Sequence, residues 1–253
     1  MTEFSLALLA GVAAGALNAI GGGGTFVALP ALVALGLPPV TANAVSRVAL
    51  VPGAVAGAWA YRRELTPVGP ASTKALTTIS VIGGGVGACL LLALPASSFD
   101  AAAPWLLAFA TVILASGRHL SRALSSVLGR PAGMGSRAVL IGQFFLAVYG
   151  GYFGGAVGIL MLALWSIGLG LDAVAGNPMR LTQLAAIYLS ATVLFLVASD
   201  ALSAPLLLTA MLVGAVAGGF AGAHLARLLP AGVLRGVLLT TAVITTVLYF
   251  LRD

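Results

Sequence analysis

Residues 18–30 read NAIGGGGTFVALP and place four consecutive glycines, Gly21 to Gly24, inside a long apolar stretch. Each glycine within an α-helix costs roughly 1 kcal/mol relative to alanine. A run of four therefore predicts an interruption of the helix. Glycine also lets the backbone approach a ligand closely, so the interruption is a candidate binding element as well as a break.

The composition around this break is that of a membrane protein. Only 7% of the 253 residues are charged, against about 25% in soluble domains, and the mean hydropathy is +1.13. Long apolar stretches recur throughout, which predicts an all-α polytopic membrane protein within a lipid bilayer. Basic cytoplasmic loops explain the net charge of +6, so we expect no nucleic-acid partner.

Hydrophobic segments can be counted by dividing the chain where charged residues, proline or glycine cluster. About eight segments result, near 4–35, 40–61, 75–95, 103–117, 138–170, 179–198, 205–228 and 233–251. The segments 4–35 and 138–170 are too long for one crossing, because a straight helix of that length measures roughly 48 Å against a bilayer core of about 30 Å. Both contain glycine clusters and are predicted to be broken or re-entrant, with breaks near 18–25 and 152–158.

The two long segments belong to a predicted internal repeat. A shift of 134 residues brings GLPPVTAN (36–43) onto GLDAVAGN (170–177) and Gly24 onto Gly158. This divides the chain into a first transmembrane repeat at 1–117, a basic cytoplasmic linker at 118–137, and a second repeat at 138–253. Together they form one integrated membrane domain.

Basic residues indicate how the repeats are oriented. They cluster in 62–74, 118–137 and 227–235, whereas the loops near Asp100 and Asp200 contain none. The positive-inside rule places the three basic segments in the cytoplasm. Since the counterpart of 62–74 lies near the acidic Asp200, the charges favour an inverted repeat. Inverted repeats with interrupted helices are typical of secondary transporters.

Polar residues near the glycine breaks form the candidate binding site. The predicted substrate-binding residues are Asn18, Gly21, Gly22, Gly23, Gly24, Thr25, Asn43, Ser46, Arg47, Asn177, Arg180 and Gln183. No Asp or Glu lies inside an apolar segment, so arginines, amides and helix N-termini should favour an anion. No metal-ligand spacing, paired carboxylates or phosphate loop is present, and neither an enzymatic activity nor a cofactor or metal is expected.

Alternative interpretations remain open for these residues. Glycine-rich helices often serve only close packing, above all at 83–87 and 214–222. Arg47 and Arg180 could extend to the membrane interface as anchors. Asn177 is predicted as an N-cap, with Pro178 in the first turn of the following helix.

The tandem segments GALNAIGGGGTFVALPALVALGLPPVTANAVSR (15–47) and GGYFGGAVGILMLALWSIGLGLDAVAGNPMR (150–180) resemble the TauE/SafE, or TSUP, membrane proteins. The resemblance covers nearly the whole chain. It implies export of small sulfur-containing anions, such as sulfite or sulfonates like sulfoacetate, across the bacterial inner membrane by a multi-pass protein. Two alternatives stay open, a permease for another small anion such as a carboxylate and a non-transporting membrane assembly factor. A homo-oligomer is compatible with the sequence.

Overall fold

The computed structural model describes residues 2–128, 135–171, 173–228 and 231–251. Ten α-helices follow one another along these ranges, and no β-strand occurs in them. The helices are α1 (Thr2–Gly21), α2 (Thr25–Ala34), α3 (Pro39–Ala60), α4 (Thr73–Ala93), α5 (Ala96–Leu128), α6 (Ser136–Tyr152), α7 (Val157–Leu169), α8 (Ala173–Ala198), α9 (Pro205–Leu228) and α10 (Ala231–Phe250).

Six stretches of these helices are long and apolar enough to cross a membrane. They are Thr2–Ala19, Pro39–Ala60, Thr73–Ala93, Ala96–Ser116, Ala175–Ala198 and Pro205–Gly222. The eight predicted segments correspond to ten helices because each of the two long segments is divided in two. Shorter apolar helices cover Thr25–Ala34, Val157–Ser166 and Gly236–Phe250.

The two glycine-rich breaks are shorter than predicted. α1 continues to Gly21 and α2 begins at Thr25, so only residues 22–24 of the predicted break at 18–25 lie outside a helix. The second break comprises residues 153–156 rather than 152–158. Each contains a glycine in the left-handed region, Gly22 and Gly154, both with φ +76°. Such a backbone angle is accessible to glycine without a steric penalty.

At each break the chain reverses and forms a helical hairpin. A methyl group at Gly24 would lie 2.6 Å from the carbonyl oxygen of Ala14, ten positions back in the chain. In the second hairpin, a methyl group at Gly142 of α6 would lie 2.9 Å from Leu164 of α7. These contacts require the chain to turn back on itself, because residues so far apart in a continuous helix could not touch.

Two helix pairs pack at very close range through small residues. α1 runs alongside α9, and α4 runs alongside α6. A methyl group at Gly218 would overlap the carbonyl oxygen of Val12, and one at Gly87 would overlap that of Val148. The glycines of 83–87 and 214–222 that contact these neighbours therefore serve helix packing, as the alternative interpretation held.

α3 and α8 cross between these two pairs. Arg47 of α3 lies over Tyr188 of α8, and a methyl group at Gly57 of α3 would lie 3.5 Å from Leu181 of α8. Residue numbers rise along one helix as they fall along the other, so α3 and α8 are antiparallel. Both helices carry their polar residues into the protein interior.

Two local predictions differ from the structure. α5 continues to Leu128, so the described part of the predicted linker at 118–137 is mostly helical, and residues 129–134 lie outside the described ranges. The prediction of Asn177 as an N-cap is wrong, because α8 begins at Ala173. Its side chain instead accepts a hydrogen bond from Arg180 Nε at 3.0 Å.

Candidate functional site

Two arginines are buried where the glycine breaks contact α3 and α8. Arg47 is 0% exposed and Arg180 is 3% exposed. Both lie in the protein interior, so an anchoring role at the membrane surface does not describe their surroundings. Each arginine comes from one predicted repeat and contacts the break of the other, as described next.

Arg180 lies where the two hairpins approach each other. A methyl group at Gly22 would lie 3.4 Å from Nη1 of Arg180 and 3.9 Å from the backbone nitrogen of Gly158. A methyl group at Gly158 would lie 3.0 Å from the same Nη1. Arg180 Nε is held by Asn177, whereas Nη1 is buried without a hydrogen-bond partner in the described chain. The break after α1 and the start of α7 thus share one guanidinium.

Arg47 lies against the second break. A methyl group at Gly154 would overlap the guanidinium, so only glycine fits there. The guanidinium carbon is 4.9 Å from the ring centroid of Tyr188, a cation–π contact. Nε, Nη1 and Nη2 of Arg47 are all buried, and none donates a hydrogen bond to a described residue. Next to it, Asn43 Nδ2 donates to the carbonyl oxygen of Tyr152 at 2.8 Å and so ties α3 to the end of α6.

At each glycine break, some backbone N–H groups have no described hydrogen-bond partner. In the first break, the amides of Gly22 and Gly23 bond back into α1, whereas no hydrogen bond to a described residue is found for the amides of Gly24 and Thr25. In the second, none is found for the four amides of 155–158. These groups stand at the N-termini of α2 and α7, where the helix dipole and unpaired N–H groups favour an anion.

A cavity of about 650 Å³ reaches Asn177, the residue that holds Arg180. Its wall is formed by α1, α3, α8 and α9 and includes Asn18 and Asn177. Along α3 it extends from buried Leu50 to Tyr61 at the helix end, where exposure increases. The amide of Asn18 is 5% exposed, and its Oδ1 has no hydrogen-bond partner among the described residues. The cavity is therefore lined by two amides, one of which holds Arg180, and neither arginine is part of its wall.

No described carboxylate compensates the two buried guanidinium charges. Every acidic side chain within the described ranges is exposed, namely Glu3, Glu64, Asp100 and Asp200. Moving a guanidinium out of water carries a penalty of several kcal/mol even after relaxation of the protein. Unpaired buried charges of one sign make this region complementary to an anion.

The remaining predicted site residues have other neighbours. Gly21 and Gly23 face Leu238 of α10, whose methyl carbons would lie 2.6 Å and 2.7 Å from added methyl groups. Gln183 donates to Thr77 of α4 at 3.2 Å, as a helix-packing bond would. Ser46 Oγ donates to the carbonyl oxygen of Asn43 at 2.8 Å. Thr25 Oγ1 is buried at the start of α2 with no described partner.

Sequence reasoning missed three residues that contact the arginines. Gly154 and Gly158 belong to the noted glycine cluster of 150–158 but were not among the predicted binding residues, since their partners are distant in sequence. Tyr188 lies eight residues after Arg180 on the same helix. The available signal was a tyrosine inside the apolar span that also holds Arg180, because a buried tyrosine hydroxyl usually finds a polar partner.

Comparison with known proteins adds one match. The family model described as "Sulfite exporter TauE/SafE" matches residues 7–249, nearly the whole chain. No curated protein and no solved structure matches the chain. The match includes both glycine breaks, α3 and α8, and thus every residue described above as contacting Arg47 or Arg180.

Proposed function

The chain belongs to the sulfite exporter TauE/SafE family, and from this membership we propose that it exports sulfite or a small organosulfonate, with Arg180 in the substrate site. The observation that carries the proposal is the pair of buried arginines with free donors and no described carboxylate partner. A planar guanidinium suits the oxygens of sulfite or a sulfonate, and free amides at the helix N-termini add donors without steric bulk.

The proposed binding position uses Arg180, Asn177, Asn18 and the backbone around Gly22. Asn177 orients the guanidinium through its Nε, which leaves Nη1 for a ligand. Asn18 and Asn177 both line the cavity, and a side-chain amide can offer two N–H donors to an oxyanion. An anion entering the cavity would thus exchange its hydration shell for fixed donors.

We further propose that the halves are an inverted repeat, with 1–117 and 138–253 as its units. The helix contacts support this, because the shift of 134 residues that relates α1 to α6 also relates α4 to α9. The shift therefore exchanges the pair α1–α9 with the pair α6–α4. It also relates α3 to α8, and these two helices pack on each other. This contact pattern supports a two-fold axis between α3 and α8, and because these two helices are antiparallel, the axis would lie across them and invert one repeat relative to the other.

The position of the cavity supports entry of the anion from the cytoplasm, which is the first step that export requires. The mouth lies near Tyr61 at the end of α3, and exposed Arg62 and Arg63 come directly after it. The positive-inside rule puts this end in the cytoplasm. Basic side chains beside the mouth would also raise the local concentration of anions. We propose the bacterial inner membrane as the location of the protein, because the resemblance to the TauE/SafE proteins implies it.

Cysteine labelling of intact cells tests this orientation. In a Cys89→Ser background, we expect Arg63→Cys to react with an impermeant maleimide only after the cells are permeabilised. Asp100→Cys, at an exposed position near the start of α5, should react from outside and serves as the matched control. Efficient labelling of position 63 in intact cells would show that the assigned orientation is reversed.

Flux measurements in proteoliposomes test the function itself. We expect sulfite and sulfoacetate to leave loaded vesicles faster than acetate does. Faster movement of acetate would favour the carboxylate permease. If none of these anions leaves the loaded vesicles faster than it leaves loaded vesicles without the protein, the assembly factor is favoured.

Gly53→Leu provides a variant for the same assay. Gly53 lines the cavity, and an added methyl group there would meet no atom within 4 Å. A leucine side chain should therefore occupy the cavity without disturbing the helices, and we expect sulfite flux to fall by roughly tenfold or more while the melting temperature stays unchanged. Gly236→Leu on α10 is the control. An added methyl group at Gly236 would also meet no atom within 4 Å, but Gly236 does not line the cavity. Equal flux in the two variants would exclude this cavity as the path.

A further inference from the structure

We propose that Arg47 forms a second anion-binding position, separate from the Arg180 position. The sequence groups both arginines into one site, but the contacts divide them between different parts of the hairpins. Arg180 contacts Gly22 and Gly158, whereas Arg47 contacts Gly154 and Tyr188. This inference rests on the proposed function, because both positions are assigned the same class of ligand, a small oxyanion.

The register of α3 against α8 separates the two arginines in depth. Leu181 lies beside Gly57 of α3, so Arg180 belongs at about that level of α3. Arg47 lies ten positions earlier in α3, a helix rise on the order of 15 Å. This separation is that of the two backbones; the guanidinium groups contact different residues of the second hairpin, Gly154 for Arg47 and Gly158 for Arg180.

Neither Arg47 nor Arg180 lines the cavity, but each lies within three residues of a residue of its wall. On α3 this residue is Leu50, which is 1% exposed. Arg47 lies three residues further along the same helix, just under one turn. Leu50 also contacts the first break, since a methyl group at Gly24 would lie 3.1 Å from its Cδ1. The second position is thus adjacent to a residue of the cavity wall, just under one helix turn away.

The donors at Arg47 are those of a built oxyanion site. Its three nitrogens are buried without a partner in the described chain. The amides of Gly155, Ala156 and Val157, which follow Gly154, donate no hydrogen bond to a described residue. Tyr149 fixes this part of the backbone, because its hydroxyl donates to the carbonyl oxygen of Gly155 at 2.8 Å. A guanidinium beside free amides at a helix N-terminus suits a small oxyanion.

A purely structural role explains Arg47 less well. The cation–π contact with Tyr188 engages one face of the guanidinium and leaves its N–H groups unpaired in the interior. Buried donors without partners are rare in folded proteins, and leaving them unsatisfied is unfavourable. An oxyanion bound at Arg47 would satisfy these donors.

Equilibrium binding of ³⁵S-labelled sulfite to the purified, detergent-solubilised protein tests the second position. We expect about two sulfite ions per protomer at saturation, because each arginine with its amides provides one oxyanion site. Arg180→Gln should retain about one, and Arg47→Gln should also retain about one. Arg63→Gln, which changes an exposed arginine, should retain both. Removal of both buried arginines should abolish binding.

The outcomes separate this inference from the proposed function. One bound sulfite in the unchanged protein that disappears in Arg180→Gln would overturn the second position and leave the first intact. Absence of sulfite binding to the unchanged protein would overturn both. If Arg47→Gln does not fold, the Arg180→Gln protein decides alone, because retention of one sulfite supports the Arg47 position and complete loss refutes it.

Discussion

Replacement of Arg180 by glutamine is expected to lower sulfite efflux from proteoliposomes by roughly ten- to a hundred-fold at subsaturating sulfite. A hydrogen bond to a charged group contributes about 1.5–3 kcal/mol net, which corresponds to this range of affinity. Arg180 carries a buried Nη1 without a described partner and lies against both hairpins. Glutamine keeps a donor at this place but removes the charge and the planar fork.

Stability measurements distinguish loss of a ligand contact from loss of structure. Removing a buried, unpaired charge should leave the melting temperature of the ligand-free protein unchanged or raise it, because the desolvation penalty disappears. Sulfite should stabilise the unchanged protein and the Arg63→Gln control more than the Arg180→Gln protein. Wild-type efflux in Arg180→Gln would contradict a binding role for this side chain.

Replacement of Gly218 by alanine is expected to destabilise the folded protein strongly. The added methyl group would overlap the carbonyl oxygen of Val12, so α1 and α9 would have to separate along their contact. Overpacking of this kind costs on the order of 1–3 kcal/mol, and the helix propensity of alanine recovers at most about 1 kcal/mol. We expect a lower melting temperature in detergent and a smaller monodisperse peak in size-exclusion chromatography.

The neighbouring glycine supplies a matched control for this effect. A methyl group at Gly219 would lie 4.0 Å from its nearest neighbour, the carbonyl oxygen of Gly15. Gly219→Ala should therefore melt at the same temperature as the unchanged protein or slightly higher. The second helix pair allows the same comparison, since Gly87 is in close backbone contact and Gly85 is not. Equal melting temperatures for Gly218→Ala and Gly219→Ala would contradict direct packing of α1 on α9.

Much of the fold was accessible from local sequence. Apolar composition and segment length predicted a membrane protein of helices, because the bilayer requires each backbone polar group to be satisfied within a helix. The helix penalty of glycine located both breaks to within a few residues. Their true limits, at 22–24 and 153–156, depend on the hairpin contacts, which a local propensity does not contain. The same limitation explains the early start of α8 at Ala173.

By itself the sequence determined that Arg47 and Arg180 lie near the glycine breaks, in apolar segments without acidic residues, which indicated an anion as the ligand. The tertiary structure decided their separate surroundings. Arg180 lies beside Gly22, more than 150 positions earlier in the chain, and Arg47 lies beside Gly154, more than 100 positions later. The physical reason is that helix periodicity gives the face of a side chain, whereas its neighbours across the protein depend on how the hairpins fold back against α3 and α8.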